Sequence, residues 1–316
     1  MSYRHIPVMR EEVLARLNCQ PGDRIVDCTL GGAGHAAAIV EKILPDGLLI
    51  AIDQDRAAIE NARQVLHSHI SNIFLLHDNF VRLPEILSQL DIVGVDGIFA
   101  DLGLSLYQID SSGRGFSFST DEPLDMRMDQ DSPTTAADIV NTADAGRLET
   151  IFRQYGEERW ARKIARRIVE SRRQAPVDTT GRLVELIRET VPKASAARQK
   201  IHPATRVFMA LRIAVNRELE VLESFLNEAV GLLNPGGRLC VIAFHSLEDR
   251  IVKHRLKDLE KGCKCPKDFP SCVCGQSPQI RLLTRKPQRP APEEIRQNPM
   301  ARSAVLRAAE KLPATG

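Results

Sequence analysis

The sequence predicts a doubly wound α/β fold with an all-helical domain inserted into it, on three observations. Continuous apolar runs, three of them ending in an acid, alternate with helical patterns, which indicates a parallel sheet covered on both faces. A glycine-rich turn follows the first run directly. A wholly helical stretch of roughly 100 residues then separates the fourth run from the fifth, where an ordinary crossover needs about 30.

Each element follows in order. Ser2 to Leu17 reads as a lead-in segment and a short helix, and Arg24–Thr29 as a buried strand carrying Asp27 near its end. The turn Leu30-Gly31-Gly32-Ala33-Gly34-His35 opens a helix that runs to Leu44, where Pro45-Asp46-Gly47 turns the chain. Leu48–Asp53 is the second strand, Arg56–Leu66 a helix, Ile73–Leu76 the third strand, Leu83–Leu90 a helix and Val95–Asp101 the fourth strand. In the insertion, Thr134 or Thr135 caps one helix, and Thr179 or Thr180 another that stops at Pro192. A long helix begins near Pro203 and ends at the turn Asn234-Pro235-Gly236-Gly237, which leads into a fifth strand at Arg238–Phe244. A helix near Glu248–Lys261, a cysteine-containing loop and a closing antiparallel pair at Gln279–Arg285 and Ser303–Ala308 complete the chain. The expected domains are residues 1–110 and 206–316 for the core and 111–205 for the insertion.

Composition is that of a globular protein: 43% hydrophobic, 27% charged, with a net charge of +2 over 316 residues. With 4% aromatic residues the core must rest on Leu, Ile, Val and Ala. No apolar run approaches the ~20 residues of a membrane span and the N-terminus lacks an apolar signal region. A cytoplasmic protein with no membrane partner is expected. Oligomeric state is not set by the residues, and a homodimer stays open.

The glycine turn marks the expected cofactor site. Glycines after a strand let backbone approach a ligand, and the following helix start offers free N–H groups. A phosphate-binding loop would need Gly-Lys-Ser/Thr, and a dinucleotide site a third glycine where Ala37 stands. Asp27 would repel a pyrophosphate but attract a sulfonium or an ammonium. Asp53 suits a ribose diol, because a carboxylate accepts from both hydroxyls. As simple helix caps, Asp27 and Asp53 would have no ligand role; two acids flanking one glycine turn match a site better.

Across nearly its whole length the chain resembles the bacterial small-subunit ribosomal RNA cytidine N4-methyltransferases of the RsmH (MraW) type. The resemblance rests on HIPVM from His5, DCTLGGAGH from Asp27, AIDQD from Ala51, and DLGLS, GRGFSF and PLDMRMD between Asp101 and Asp129. It continues through YGEERWARKIARRI from Tyr155, HPATRVFMALRIAVNREL from His202, GGRLCVIAFHSLEDRIVK from Gly236 and NPMARSAVLR from Asn298. It implies a Rossmann-like class I S-adenosylmethionine-dependent methyltransferase. It further implies methyl transfer to N4 of a cytidine in the decoding region of 16S ribosomal RNA in the small ribosomal subunit. The cofactor contacts it implies fall on Ala33, Gly34, His35, Asp53, Phe80, Asp101 and Gln108. Ala33 stands where the family usually has Gly, Leu106-Tyr107 replaces Ser-Pro, and Met300 and Val305 replace basic residues.

An exocyclic amine needs orientation toward the methyl donor and an acceptor for its protons, which stabilises charge developing on nitrogen. Asp101, at the tip of the fourth strand, is the expected catalytic residue, with cofactor holding as the competing role. A C5-transfer would need a cysteine nucleophile, and Cys240, like Cys19 and Cys28, reads as a buried thiol. His35 reads as a cofactor-loop residue. His245 or Glu248 either faces the target base or belongs to a helix start, with Ser246 as cap and Asp249 closing a capping box.

Positive charge concentrates in the insertion. Between Ile151 and Arg173 lie Arg153, Arg159, Arg162, Lys163, Arg166, Arg167, Arg172 and Arg173 against Glu157, Glu158 and Glu170, a net of +5. Trp160, Ile164 and Ile168 form the inward stripe of that stretch. Lys193, Arg198, Lys200, Arg206, Arg212 and Arg217 follow without an acid between them. Either stretch alone could be a solvated face; together they favour phosphate binding, with the target base unstacked into the pocket. Cys263, Cys265, Cys272 and Cys274 could bind structural zinc or stay reduced thiols, because a cytoplasmic protein should not rely on disulfides. An inactive RNA-binding protein and an NAD-dependent dehydrogenase are the rival readings. The intact glycines with Asp53 speak against the first, and Asp27 with the missing third glycine against the second.

Overall fold

The computed structural model describes residues 7–194, 201–263, 265, 269, 271 and 273–313. The chain divides into two compact units, Met1–Leu104 with Leu219–Gly316, and Ser105–Glu218.

The first unit is a seven-stranded sheet. Its strands are β1 (Arg24–Asp27), β2 (Leu48–Asp53), β3 (Ile73–His77), β4 (Val95–Asp101), β5 (Leu233–Ala243), β6 (Ile280–Leu282) and β7 (Val305–Lys311), in the order β3-β2-β1-β4-β5-β7-β6. The five strands from β3 to β5 are parallel, and β7 and β6 close the sheet antiparallel, as expected for a Rossmann-like core. Strand order reverses at β1, which pairs β2 on one side and β4 on the other. Ligands of such sheets sit beyond the carboxyl ends of the strands at that switch point.

Both faces of the sheet are covered, because successive strand residues point to opposite sides. Ile25, Leu49, Ala51 and Phe99 pack with α1 (Arg10–Leu17), α2 (Gly34–Ile43) and α3 (Arg56–Val65). Their neighbours Val26, Ile50, Ile52, Ile98 and Ala100 pack with α4 (Leu83–Gln89), with Leu222, Phe225 and Leu226, and with Val252 and Leu256. Cys28 and Cys240 are buried, and burial raises both thiols well above their ordinary range. Neither can serve as a nucleophile there. Strand β5 starts at Leu233 rather than Arg238. Its pairing with β4 jumps from Val95–Leu233 to Gly97–Arg238, so the expected turn is a bulge within the strand, with Gly236 left-handed at φ 82°.

The second unit contains α5 (Leu106–Asp110), α6 (Ala136–Thr142), α7 (Ala145–Gln154), α8 (Ala161–Ser171), α9 (Thr180–Thr190) and α10 (Pro203–Asn216). Thr135 and Thr179 are the caps, each accepting from an amide three residues on. The expected limits of 111 and 205 differ from the observed 105 and 218. The second limit moves because of α10, whose Ala204, Val207, Phe208 and Leu211 belong to the helical core with Leu148, Phe152, Ile164 and Leu183. The expected single long helix breaks at Arg217, which takes a left-handed conformation (φ 51°) before α11 (Glu218–Leu232) begins. Arg114 of GRGFSF is buried and donates to the carbonyls of Arg127 (3.0 Å) and Met128 (3.2 Å), tying that motif to PLDMRMD. Phe152 is fully buried. Phe152→Ala should cost about 3–5 kcal/mol, read as a lower denaturant midpoint for this unit. Among the described residues no helix is long and apolar enough to cross a membrane.

Candidate active site

Three acid-tipped strands, β1, β2 and β4, lie side by side around the switch point. Asp27 is fully buried; its Oδ1 accepts from the Thr29 amide at 3.1 Å, while Oδ2 has no hydrogen-bond partner. Burial pushes its carboxyl well above the usual range, and the charges of Asp101 and Asp53 push it further. Asp53 accepts the Gly31 amide on Oδ2 and the Asp55 amide on Oδ1, both at 2.8 Å. Burial nevertheless lifts it to about 6. A carboxylate offers about four acceptor sites, so both oxygens keep capacity for hydroxyl donors.

Asp101 is held at its backbone and at its side chain. Its amide donates to Thr29 Oγ1 at 2.6 Å, and its Oδ1 accepts from the Gly103 amide at 3.2 Å. Its Oδ2 lies 3.7 Å from Nε2 of His35, whose ring packs on Phe99 at 4.6 Å between centroids. Burial raises the Asp101 carboxyl to about 7, with the Glu248 charge adding to the shift.

The glycine turn supplies the floor. Ala33 sits in the left-handed region at φ 62° and is fully buried in the core, so its methyl is accommodated there. It offers α2 no side-chain cap, which leaves the opening turn of that helix to other acceptors. A Cβ on Gly34 would stand 3.1 Å from the Pro7 ring, so backbone and N-terminal segment approach closely there. Phe80 follows β3, where the Asp78 amide donates to the Asp53 carbonyl at 3.1 Å, and its ring meets Phe225 edge-on at 5.0 Å.

Ala33, Gly34, His35, Asp53, Phe80 and Asp101 therefore all belong to the first unit, on the loops at the strand ends. Gln108 belongs to the second unit. It is buried in α5, where its Oε1 accepts from the Ser105 amide at 3.0 Å in a capping box.

The segment after β5 corrects one expectation. The cap of α12 (Ser246–Lys261) is His245, not Ser246, and Glu248, not Asp249, closes the box. Glu248 is buried and accepts the amides of Phe244 (2.8 Å) and His245 (3.3 Å) on Oε2. Nδ1 of His245 accepts the Glu248 amide at 3.5 Å, and its Nε2 lies 3.0 Å from Glu248 Oε1. Asp249 instead forms a two-bond pair with Arg307 (2.6 and 3.0 Å). Thr29 carries a role that sequence reading missed; its signal is a hydroxyl two places after the first acid.

Among the described residues, none of Asp27, Asp53, Asp101 and Glu248 forms an ion pair with Lys or Arg, and the charges of neighbouring carboxylates act on Asp27, Asp53 and Asp101. Such a cluster repels a pyrophosphate and favours a ligand bearing positive charge.

In the second unit the basic stretches divide by role. Arg159, Arg162, Arg166 and Arg173 are exposed and make no ion pair among the described residues. Arg153 pairs with Glu149 and Arg167 with Glu189, Lys163 lies over the Trp160 ring, and Arg172 donates to the carbonyls of Val140 and Ala143. Farther on, Arg212 forms a two-bond pair with Glu218 and Arg206 donates to the Glu157 carbonyl, while Arg198 and Lys200 lie outside the described residues.

The family described as "MraW methylase family" matches residues 2–312. A protein of Desulfosudis oleivorans named ribosomal RNA small subunit methyltransferase H is 55% identical over 312 residues, 99% of this chain and 100% of that one. Proteins of the same name from Desulforapulum autotrophicum and Brevibacillus brevis are 56% and 49% identical, covering 98% and 99% of this chain and 99% of each relative.

Proposed function

The chain belongs to the MraW methylase family, and from that premise we propose that it transfers a methyl group from S-adenosylmethionine to N4 of a cytidine in the decoding region of 16S ribosomal RNA. The observation that carries this reading is the buried carboxylate cluster at the tips of β1, β2 and β4, with an unpartnered oxygen on Asp27.

The residues fit that cofactor. When bound, it supplies an electrophilic methyl on a sulfonium centre, beside an ammonium group and a ribose. Asp53 has acceptor capacity for the ribose hydroxyls, and Asp27 and its neighbours compensate positive charge. The uncapped start of α2 suits the cofactor's carboxylate. Phe80 offers a ring to the base. Asp101 accepts a hydrogen bond from the amino group of the target, which localises the nitrogen lone pair and stabilises the charge that develops on it. A carboxyl raised to about 7 is also matched to taking the proton that N4 must release.

Arg159, Arg162, Arg166 and Arg173 form the proposed phosphate-binding face of the 16S RNA partner. Changing the first three to Ala should weaken RNA binding and lower the slope of log affinity against log salt by roughly two to three. Unchanged affinity and slope in filter binding at several salt concentrations would place the RNA elsewhere.

The raised carboxyls also set a pH dependence. A group whose folded pKa lies above its unfolded value stabilises the fold below the unfolded pKa and loses that contribution as pH rises through the folded one. Asp53 and Asp101, at about 6 and 7, therefore lose stabilising weight in the ligand-free chain between about pH 4 and 7. A cationic ligand favours the ionised forms. The rise in melting temperature on adding S-adenosylmethionine should thus be larger at pH 8 than at pH 5.5. An equal rise at both would count against charge compensation.

The whole reading is tested by mass mapping of 16S RNA from cells lacking this protein, followed by in vitro methylation of those small subunits with the purified chain. A cytidine in the decoding region should gain one methyl group at N4. An unchanged map in the deletion strain overturns the assignment, as does calorimetric binding of NAD in preference to S-adenosylmethionine.

A further inference from the structure

The loop joining α12 to β6 has no part in the chemistry above. Its base is pinned: the Gln279 amide donates to the Leu259 carbonyl at 2.9 Å, and Gly262 is left-handed at φ 66°. A Cβ on Gly262 would stand 2.3 Å from the Ser277 carbonyl carbon, so only glycine lets the two limbs approach this closely. Beyond that base the described residues of the loop form no helix or strand. Phe269 and Val273 are 50% and 70% exposed, so among the described residues of the loop these two apolar side chains do not organise it by burial.

Three thiols converge above this base. The Sγ atoms of Cys263, Cys265 and Cys274 all lie within 4.8 Å of one another, and each residue is half-buried. Cys263 and Cys274 are 3.8 Å apart at sulfur, and none of the three is in a disulfide. A disulfide would need about 2.05 Å. Zinc–sulfur bonds of about 2.3 Å at tetrahedral angles set ligand sulfurs about 3.8 Å apart. The Val273 amide points at Cys265 Sγ from 3.4 Å, the kind of outer-shell donor that orients and stabilises a metal-bound thiolate.

We propose that Cys263, Cys265 and Cys274 bind a structural zinc ion that staples the loop between α12 and β6. Thiolate ligands select zinc over hard cations such as magnesium or calcium. Binding displaces the thiol protons to solvent and changes no oxidation state. Cys272 lies outside the described residues and is no part of the assignment.

The test uses the full-length chain, purified under reducing conditions without chelator. Elemental analysis should find about one zinc per chain, released stoichiometrically when a mercurial reagent titrates the thiols. The Cys263→Ser/Cys274→Ser variant should retain less than about a tenth of that zinc. Cys19→Ser, altered outside the loop, should keep all of it. With wild-type protein alone, chelator treatment should speed reaction of the loop thiols with a disulfide reagent severalfold. Zinc-free wild-type protein after zinc loading and dialysis overturns the proposal, as does full zinc retention by the double variant. These readouts are independent of methyl transfer, so their failure leaves the proposed activity standing.

Discussion

Asp101→Asn should lower the rate of methyl transfer about 100- to 1000-fold, the usual effect of losing a group that stabilises charge in a transition state. The substitution keeps an oxygen for the Gly103 amide, 3.2 Å away, so the loop after β4 should survive. It removes the negative charge proposed to compensate the developing cation on the target nitrogen. Two roles can be separated by kinetics. If Asp101 acts on the target amine, single-turnover rates fall while affinity for S-adenosylmethionine changes only a few-fold. If it merely holds the cofactor, the dissociation constant rises and the saturated rate survives. A pH profile adds a second discriminator. Because the carboxyl is raised to about 7, the wild-type rate at subsaturating cofactor should climb between pH 6 and 8, and the Asn variant should lose that limb.

Asp53→Ala should weaken S-adenosylmethionine binding at least tenfold. Hydrogen bonds to a charged group contribute about 1.5–3 kcal/mol each, and about 1.4 kcal/mol is a factor of ten. Two effects add here. The ribose loses its proposed acceptor, and the amides of Gly31 and Asp55, each 2.8 Å from this carboxylate, lose theirs. The second effect loosens the glycine turn against the tip of β2. Asp53→Asn restores an acceptor for one amide and should recover part of the loss. Calorimetric titration decides it; near-wild-type affinity in the Ala variant would move the ribose to another residue.

Much of the fold is legible in the sequence for a definite reason. Strands buried on both faces, such as Leu48–Asp53, read as unbroken apolar runs, and a charged residue at their end marks where burial stops. That same contrast located Asp27, Asp53 and Asp101. Features that depend on tertiary packing were not legible. Arg217 adopts a left-handed conformation without any glycine to announce it, so one long helix was expected where two occur. The apolar face of α10 could have served either core, and only packing assigns it to the helical one. His245 caps α12 although Ser246 is the better capping residue by type, because the buried Glu248 reaches back to the amides of Phe244 and His245. Gln108 shows a similar limit: its spacing from Ser105 fits a capping box as well as a contact.

The solitary oxygen of Asp27 bears on how long the protein survives in a cell. A sealed-in carboxylate lacking a complement penalises the native state, and a ligand that complements it shifts the native–denatured balance by mass action. Enzyme abundance should accordingly track the supply of methyl donor, with proteases removing the chain sooner in starved cells. A pulse-chase experiment at high and low methionine should show the shorter half-life in the second, and Asp27→Asn should narrow the difference.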